Sequence, residues 1–346
     1  MIKAIDFFCG AGGLTRGLLD SGIEVILGID ADGRCRETYE NNNPPAKMMH
    51  CDIRELAVTD LQKILSRIPK EKLMFAACAP CQPYSKQRTV PKDKHQRALL
   101  GYFKKFVEAF EPYYIFVENV PGIAKIPGNY IYQDFVTSLS IMGYFIEAAD
   151  VDAKNYGVPQ TRRRRILLAS KLAPIKIPKA THGPNKLPYV TVRATISKFP
   201  AIKAGEDHPG IPNHRASLLS DLNLIRIKHT PINGGDRKHW PENLILDCHK
   251  NNYNGHTDVY GRMWWERPAP ALTCKCHSLS NGRYGHPEQD RAISLREAAA
   301  LQTFPDHYIF YGNSKAVIGN QIGNAVPVRL AKIIGAEFLR CASTTI

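Results

Sequence analysis

Along the first half of the chain, apolar residues fall into short blocks separated by polar and glycine-rich stretches. Residues 3–8 and 24–29 read as buried strands, with a glycine turn and a helix over 13–21 between them. A helix through Cys35 and Tyr39 follows. The run 73–79 (LMFAACA) is another strand, and 98–110 carries Leu99, Phe103, Phe106, Val107 and Phe110 at helical spacing. Residues 113–117, 144–151 and 166–170 add three more strands. Strands alternating with helices predict an α/β fold whose parallel sheet is covered on both faces.

After Lys171 the pattern changes. Prolines, glycines and histidines become dense, and helical periodicity is lost until Ser294. Eight of the twelve histidines and all three tryptophans lie between His182 and His277. This stretch predicts a smaller second domain of loops and short strands. From Ser294 a helix resumes, and the tail from 327 to 339 is an apolar helix expected to return to the first domain. The expected division is 1–170, 171–313 and 314–346. No internal repeat or low-complexity tract is present.

With 346 residues and 44% hydrophobic content, a large core and more than one domain are expected. No apolar run approaches ~18 residues, so no membrane span is expected. Asp6 interrupts the apolar start, which is a first strand rather than a signal peptide. Nine cysteines without a secretion signal point to reduced thiols in a cytosol-like compartment. Cys78 and Cys81 form a C-x-x-C, and Cys274 and Cys276 a C-x-C. Zinc frameworks usually repeat C-x-x-C, and Pro80 inside the first pair suits a strand-end turn, so no metal is expected. The formal net charge of +14 favours a polyanionic partner.

Candidate chemistry gathers at strand ends, where open α/β sheets bind ligands. Phe8, Gly10 and Gly12 belong to a turn that lets backbone approach a ligand, followed by a helix N-terminus. Asp30 ends the next strand and could accept ribose hydroxyls, while Asp52 could accept from an adenine amino group. This spacing is not the G-x-G-x-x-G of dinucleotide enzymes. Cys81 lies just past the strand 73–79, between Pro80 and Gln82-Pro83, on a stiff turn suited to a nucleophile. Reactivity needs the thiolate, hence positive neighbours. Glu118 ends a buried strand, where desolvation favours the protonated, proton-donating form. Arg162 to Arg165 precede another strand; if already extended, Arg162 and Arg164 share one face, and Arg163 and Arg165 the other. The polar, basic segment 85–94 reads as a lid that grips phosphates, or as an ordinary exposed loop.

These residues resemble the motifs of the bacterial-type DNA (cytosine-5) methyltransferases, in order and along nearly the whole chain. The stretch 6–13 (DFFCGAGG) is similar to the S-adenosylmethionine loop, and Pro80-Cys81-Gln82 to the nucleophile motif. Glu118-Asn119-Val120 and 160–164 (QTRRR) are similar to two cytosine-holding motifs. Residues 267–273 (RPAPALT) resemble the segment closing the recognition domain, and 321–327 (QIGNAVP) the segment completing the cofactor pocket. The chain departs at Asp30, where Glu is commoner, at Ala31, where a large apolar residue often packs on the cofactor, and at Cys9.

The resemblance implies a Rossmann-like S-adenosylmethionine-dependent methyltransferase sheet with a smaller, loop-rich target-recognition domain. It implies S-adenosyl-L-methionine as cofactor, held by Phe8, Gly10, Gly12, Asp30, Asp52, Ile53, Pro80, Asn324 and Ala325. Cys81 would attack carbon 6 of a flipped cytosine, with Glu118 on N3 and the exocyclic amine, Arg164 on the O2 side, and Arg162 orienting Glu118. Double-stranded DNA is the implied partner, read by the segment 171–266, which carries 14 Lys and Arg against 8 Asp and Glu. A monomer acting in the bacterial cytoplasm, with a cognate restriction endonuclease as functional partner, completes the expectation. A tRNA cytosine methyltransferase and a non-catalytic DNA-binding regulator are the rival readings.

Overall fold

The computed structural model describes residues 1–79, 99–124, 130–250 and 257–344. They divide into two compact units. The first comprises Met1–Tyr156, Arg163–Ala180 and Val326–Ile346, and the second Gly157–Arg162 and Thr181–Ala325. Against the boundaries expected from the sequence, residues 157–162 and 314–325 group with the second unit, and 171–180 with the first. Backbone pairing accounts for this. Thr161 N donates to Ala269 O at 2.8 Å, while Lys171 N donates to Tyr113 O at 3.0 Å.

The first unit carries β1 (Lys3–Phe7), α1 (Gly13–Ser21), β2 (Glu24–Asp30), α2 (Arg36–Asn42), β3 (Lys47–His50), α3 (Val58–Leu65) and β4 (Leu73–Ala77). It continues with α4 (Leu99–Phe110), β5 (Tyr114–Asn119), α5 (Tyr130–Ile141), β6 (Phe145–Asp152) and β7 (Arg163–Ser170). The seven strands are ordered β3-β2-β1-β4-β5-β7-β6. Pairing is parallel from β3 through β5. The parallel expectation fails at the far edge, where β7 runs antiparallel to both β5 and β6. The cause is local: only the ten residues after Asp152 join β6 to β7, too few for the helical crossover that a parallel neighbour needs.

Alternation along the central strands covers both faces. Ile5 and Phe7 of β1, Phe75 of β4, and Ile115 and Val117 of β5 pack with Phe103 and Phe106 of α4 and Phe135 of α5. The Phe7 and Phe75 rings meet edge-on, with centroids 5.1 Å apart. On the other face, Tyr114 meets Phe338 of a long C-terminal helix, α10 (Val328–Ser343), at 6.0 Å. That helix lies against α1, where Gly17 and Gly335 permit the approach: a Cβ on either would overlap Ala331 or Ser21.

The second unit carries α6 (Val192–Ile196), α7 (Asp221–Lys228), α8 (Leu295–Leu301) and α9 (Lys315–Asn324). The short helices α6 and α7 lie within the stretch read as lacking helices. One or two turns are too short to register as periodicity, but Thr191 and Ser220 cap them. The short strands expected here are isolated bridges among the described residues, such as Arg262 with Gly285 and Gln160 with Ala269. Buried guanidinium groups take up much of the backbone instead. Arg262 donates to the carbonyls of Ile227, Thr230, His286 and Gln289. Arg283 holds Gly234, Gly235 and Arg262, and Arg296 holds Pro212 and Tyr308. Arg291 bonds both oxygens of Glu297 at 2.7 Å. Arginine suits this role because its planar fork offers five donors.

Candidate active site

In the first unit the strand order reverses its sequence direction between β1 and β4, the point where open α/β sheets present a crevice at their carboxyl ends. β1 ends at Phe7, and Phe8 takes a left-handed φ of 61°, costly for a phenylalanine. Gly10 and Gly12 follow at 49° and 84°, conformations natural to glycine. The turn is tied to its neighbour strand by Cys9 N donating to Ile29 O at 3.1 Å and by Gly10 N donating to Asp30 Oδ2 at 2.8 Å. Asp30 Oδ1 accepts from Asp32 N at 2.8 Å. Burial raises the Asp30 carboxyl above its ordinary range, against these two amide bonds. Cys51 N donates to Asp30 O at 3.0 Å, which sets the segment carrying Asp52 and buried Ile53 beside Asp30. Asp52 is held by Arg54, whose Nη2 lies 2.6 Å from Oδ2, and this pairing lowers its carboxyl. The sequence reading did not anticipate Arg54.

Beneath this turn lies Asp6, fully buried on β1. Thr15 Oγ1 donates to its Oδ2 at 2.6 Å and meets Tyr39 Oη at 3.0 Å. Its Oδ1 has no hydrogen-bond partner among the described residues. Burial pushes the Asp6 carboxyl up to about 7, opposed by the Thr15 bond and assisted by the charge of Asp30. A folded value above the ordinary 3.8 means that the native state holds the proton longer, so Asp6 costs stability progressively as pH rises from 3.8 to about 7. The full cost is on the order of 4 kcal/mol above that window. Asp6→Asn should therefore gain stability relative to the parent as pH rises from about 5 to about 8, read as a widening difference in urea midpoints. A constant difference across that range would refute the buried-acid account.

At the other side of the crevice, Glu118 of β5 is only 3% exposed. It stands opposite Ile166, so Arg164, two residues along β7, shares its face of the sheet. Arg164 Nε lies 2.8 Å from Glu118 Oε1, a close ionic contact whose angle falls outside an aligned hydrogen bond. Cys78 Sγ donates to Glu118 Oε2 at 2.9 Å. Next to it, Asn119 Nδ2 donates to Ala79 O at 3.3 Å. The residues just beyond β4 are thus fastened to the end of β5. Pro80, Cys81 and the basic segment 85–94 lie outside the described residues.

The expected sharing of one strand face by Arg162 and Arg164 does not hold, because β7 begins at Arg163. The bridge of Gln160 with Ala269 draws the preceding residues into the second unit. There Arg162 is buried, and its Nη1 donates to Leu272 O at 3.1 Å and Gly323 O at 3.3 Å. Gln160 accepts from Leu272 N at 2.9 Å and donates to Gln302 Oε1 at 3.0 Å. Three stretches that the sequence keeps far apart, around 160–162, 267–273 and 321–325, therefore meet within this unit. Asn324 is exposed, and its Oδ1 accepts from Cys274 Sγ at 3.0 Å. Ala325 is half-buried, and its carbonyl accepts from Gln302 Nε2 at 3.3 Å. Sequence reasoning missed Gln302 and the roles of Cys78 and Cys274, whose C-x-x-C and C-x-C spacings give no sign of Glu118 and Asn324 as partners. Among the described residues, no three His, Cys, Asp or Glu side chains group as a metal site would require, and no helix is long and apolar enough to cross a membrane.

The mixed seven-stranded sheet and its glycine turn define a Rossmann-like methyltransferase fold. Two solved structures share it. A putative DNA modification methyltransferase encoded within an E. coli prophage superposes with a TM-score of 0.76 at 22% identity, covering 99% of this chain and all of that one. The S. pombe Dnmt2 methyltransferase gives 0.66 at 15% identity, with 98% of each chain covered. The model of the C-5 cytosine-specific DNA methylases matches residues 2–340, and the chain belongs to that family. It is similar to the Type II methylase M.HgiDII of Herpetosiphon aurantiacus, with 40% identity over 97% of this chain and 94% of the relative. The Type II methyltransferase M1.HphI of Haemophilus parahaemolyticus is 28% identical over 97% and 86%. The protein is a DNA (cytosine-5) methyltransferase.

Proposed function

We propose that the protein transfers a methyl group from S-adenosyl-L-methionine to carbon 5 of a flipped-out cytosine in a specific duplex DNA sequence, through a transient bond to Cys81. The observation that carries this reading is the Glu118–Arg164 pair, with Glu118 buried at a strand end and fastened to the backbone that leads into Cys81.

The cofactor fits the first unit's turn. Gly10 has open space where a Cβ would stand, no side chain caps α1, and Asp30 and Asp52 offer carboxylate oxygens with lone pairs beyond those already used. Phe8, Gly10, Gly12, Asp30, Asp52 and Ile53 would hold it there, and the family resemblance adds Pro80, Asn324 and Ala325 to the residues expected to contact it. When bound, it supplies an electrophilic methyl group to carbon 5. The Cys81 thiolate adds to carbon 6, breaking the ring's conjugation and placing electron density on carbon 5. Glu118, bonded to N3 and the exocyclic amine, relieves the negative charge, and Arg164 holds the O2 side; the family resemblance assigns Arg162 a part in making the site positive. Loss of the carbon-5 proton and of the thiol restores the aromatic ring.

A base inside a duplex is out of reach, so it must be extruded at a cost of a few kcal/mol. The histidine- and tryptophan-rich segment 171–266, with 14 Lys and Arg against 8 Asp and Glu, would read base edges in the major groove. The Type II names of the relatives support a restriction-modification setting, with a cognate restriction endonuclease as functional partner. The protein would act in the bacterial cytoplasm as a monomer, since a base-flipping enzyme of this size can embrace its target alone.

The test uses the full chain, the methyl donor and a duplex carrying 5-fluorocytosine in the methylated sequence, found by bisulfite sequencing. A denaturant-stable adduct at Cys81 is expected. Absence of that adduct, or transfer to tRNA alone, would overturn the proposal.

A further inference from the structure

We infer that Cys78 is a positioning residue for the methyl-transfer reaction, its thiol setting the orientation of the Glu118 carboxylate; the inference rests on the reading of Glu118 given above. Cys78 lies just past the end of β4, the strand adjacent to β5, with its backbone N donating to Phe7 O at 3.3 Å. Its Sγ reaches Glu118 Oε2 at 2.9 Å, while Arg164 Nε lies against Oε1 at 2.8 Å. The carboxylate is gripped on both oxygens from two neighbouring strands. A carboxylate at a side-chain end has a soft, roughly two-fold terminal torsion, so one partner alone leaves its plane poorly fixed. Two partners on different oxygens fix it. Because a thiol is a weak donor, the grip orients Glu118 without competing strongly for the lone pairs a base would use.

The neighbouring bond supports this reading. Asn119 Nδ2 donates to Ala79 O, so consecutive residues of β5 hold consecutive residues past β4. Side-chain orientation at 118 and backbone position at 79 are set by the same junction. Of the C-x-x-C seen in the sequence, the first thiol has Glu118 as a hydrogen-bond partner.

The experiment measures steady-state transfer of labelled methyl to unmethylated plasmid DNA by the full-length enzyme and by Cys78→Ala, Cys78→Val and Cys78→Ser. Alanine and valine remove the donor, one with and one without loss of volume; serine keeps a donor. The two apolar variants should lose on the order of tenfold in kcat, with KM for the methyl donor and Tm unchanged. Serine should recover most of the rate. Equal losses in all three variants, or normal kcat in alanine and valine, would overturn the positioning role while wild-type transfer leaves the reading of Glu118 intact. If one apolar variant lowers Tm, the other supplies the comparison. No transfer by the wild type would overturn that reading and this inference together.

Discussion

Cys81→Ser should abolish methyl transfer and the 5-fluorocytosine adduct while leaving DNA binding in place. The chemistry asks for addition to carbon 6 of an aromatic pyrimidine, and a thiolate is available for this near neutral pH. A serine hydroxyl ionises far higher and would need a dedicated base to become a nucleophile. Duplex affinity has a different origin: the excess of 46 Lys and Arg over 32 Asp and Glu is untouched by the exchange. Binding should still weaken steeply with salt, as counterion release requires. A gel-shift titration at two salt concentrations, beside a single-turnover assay, separates the two properties. Measurable turnover by the serine variant would remove Cys81 as nucleophile.

The second large effect is at Glu118. Glu118→Gln keeps the size of the side chain and should lower kcat by about 10²–10⁴, the range for loss of a positioned acid–base group. The amide has lost the charge that Arg164 faces across 2.8 Å. It also turns one acceptor oxygen into a donor, so the Cys78 thiol and the Arg164 guanidinium can no longer both be satisfied. The amide N–H can still donate to N3 of the base, but it carries no acidic proton to transfer there as negative charge builds on the ring. Single-turnover rates, with adduct formation followed in parallel, check this. A rate equal to that of the parent would exclude Glu118 from the chemistry.

Much of the first unit was legible because its central strands are buried and nearly continuous in apolar residues. The run 73–79 is the clearest, and β5 is buried throughout. The strand-end acids Asp30 and Glu118 could be read because each closes such a run, and Asp52 because it follows a shorter, less buried apolar stretch. The reversal of β7 was hidden, since the apolar content of Ile166 to Ala169 is the same whichever way the strand points. The helices α3 and α5 went unread although Leu61, Leu65, Phe135 and Leu139 repeat at helical spacing, because each buries only two or three side chains and the stripe is too short to stand out. The role of Cys78 was unreadable, because a thiol one residue past a strand gives no sign of the carboxylate forty positions later. The second unit resisted most. Its order comes from arginines reaching distant carbonyls, and such bonds leave no period in the sequence.

That use of arginine bears on how target preference could change in such an enzyme. A β-ladder obliges every second residue to face inward, so a substitution along it is felt by the whole sheet. A guanidinium hub, such as Arg262 with its four carbonyls, constrains only the backbone points it clasps. The intervening side chains answer to no alternation, and new base contacts can be tried there while the scaffold stays put.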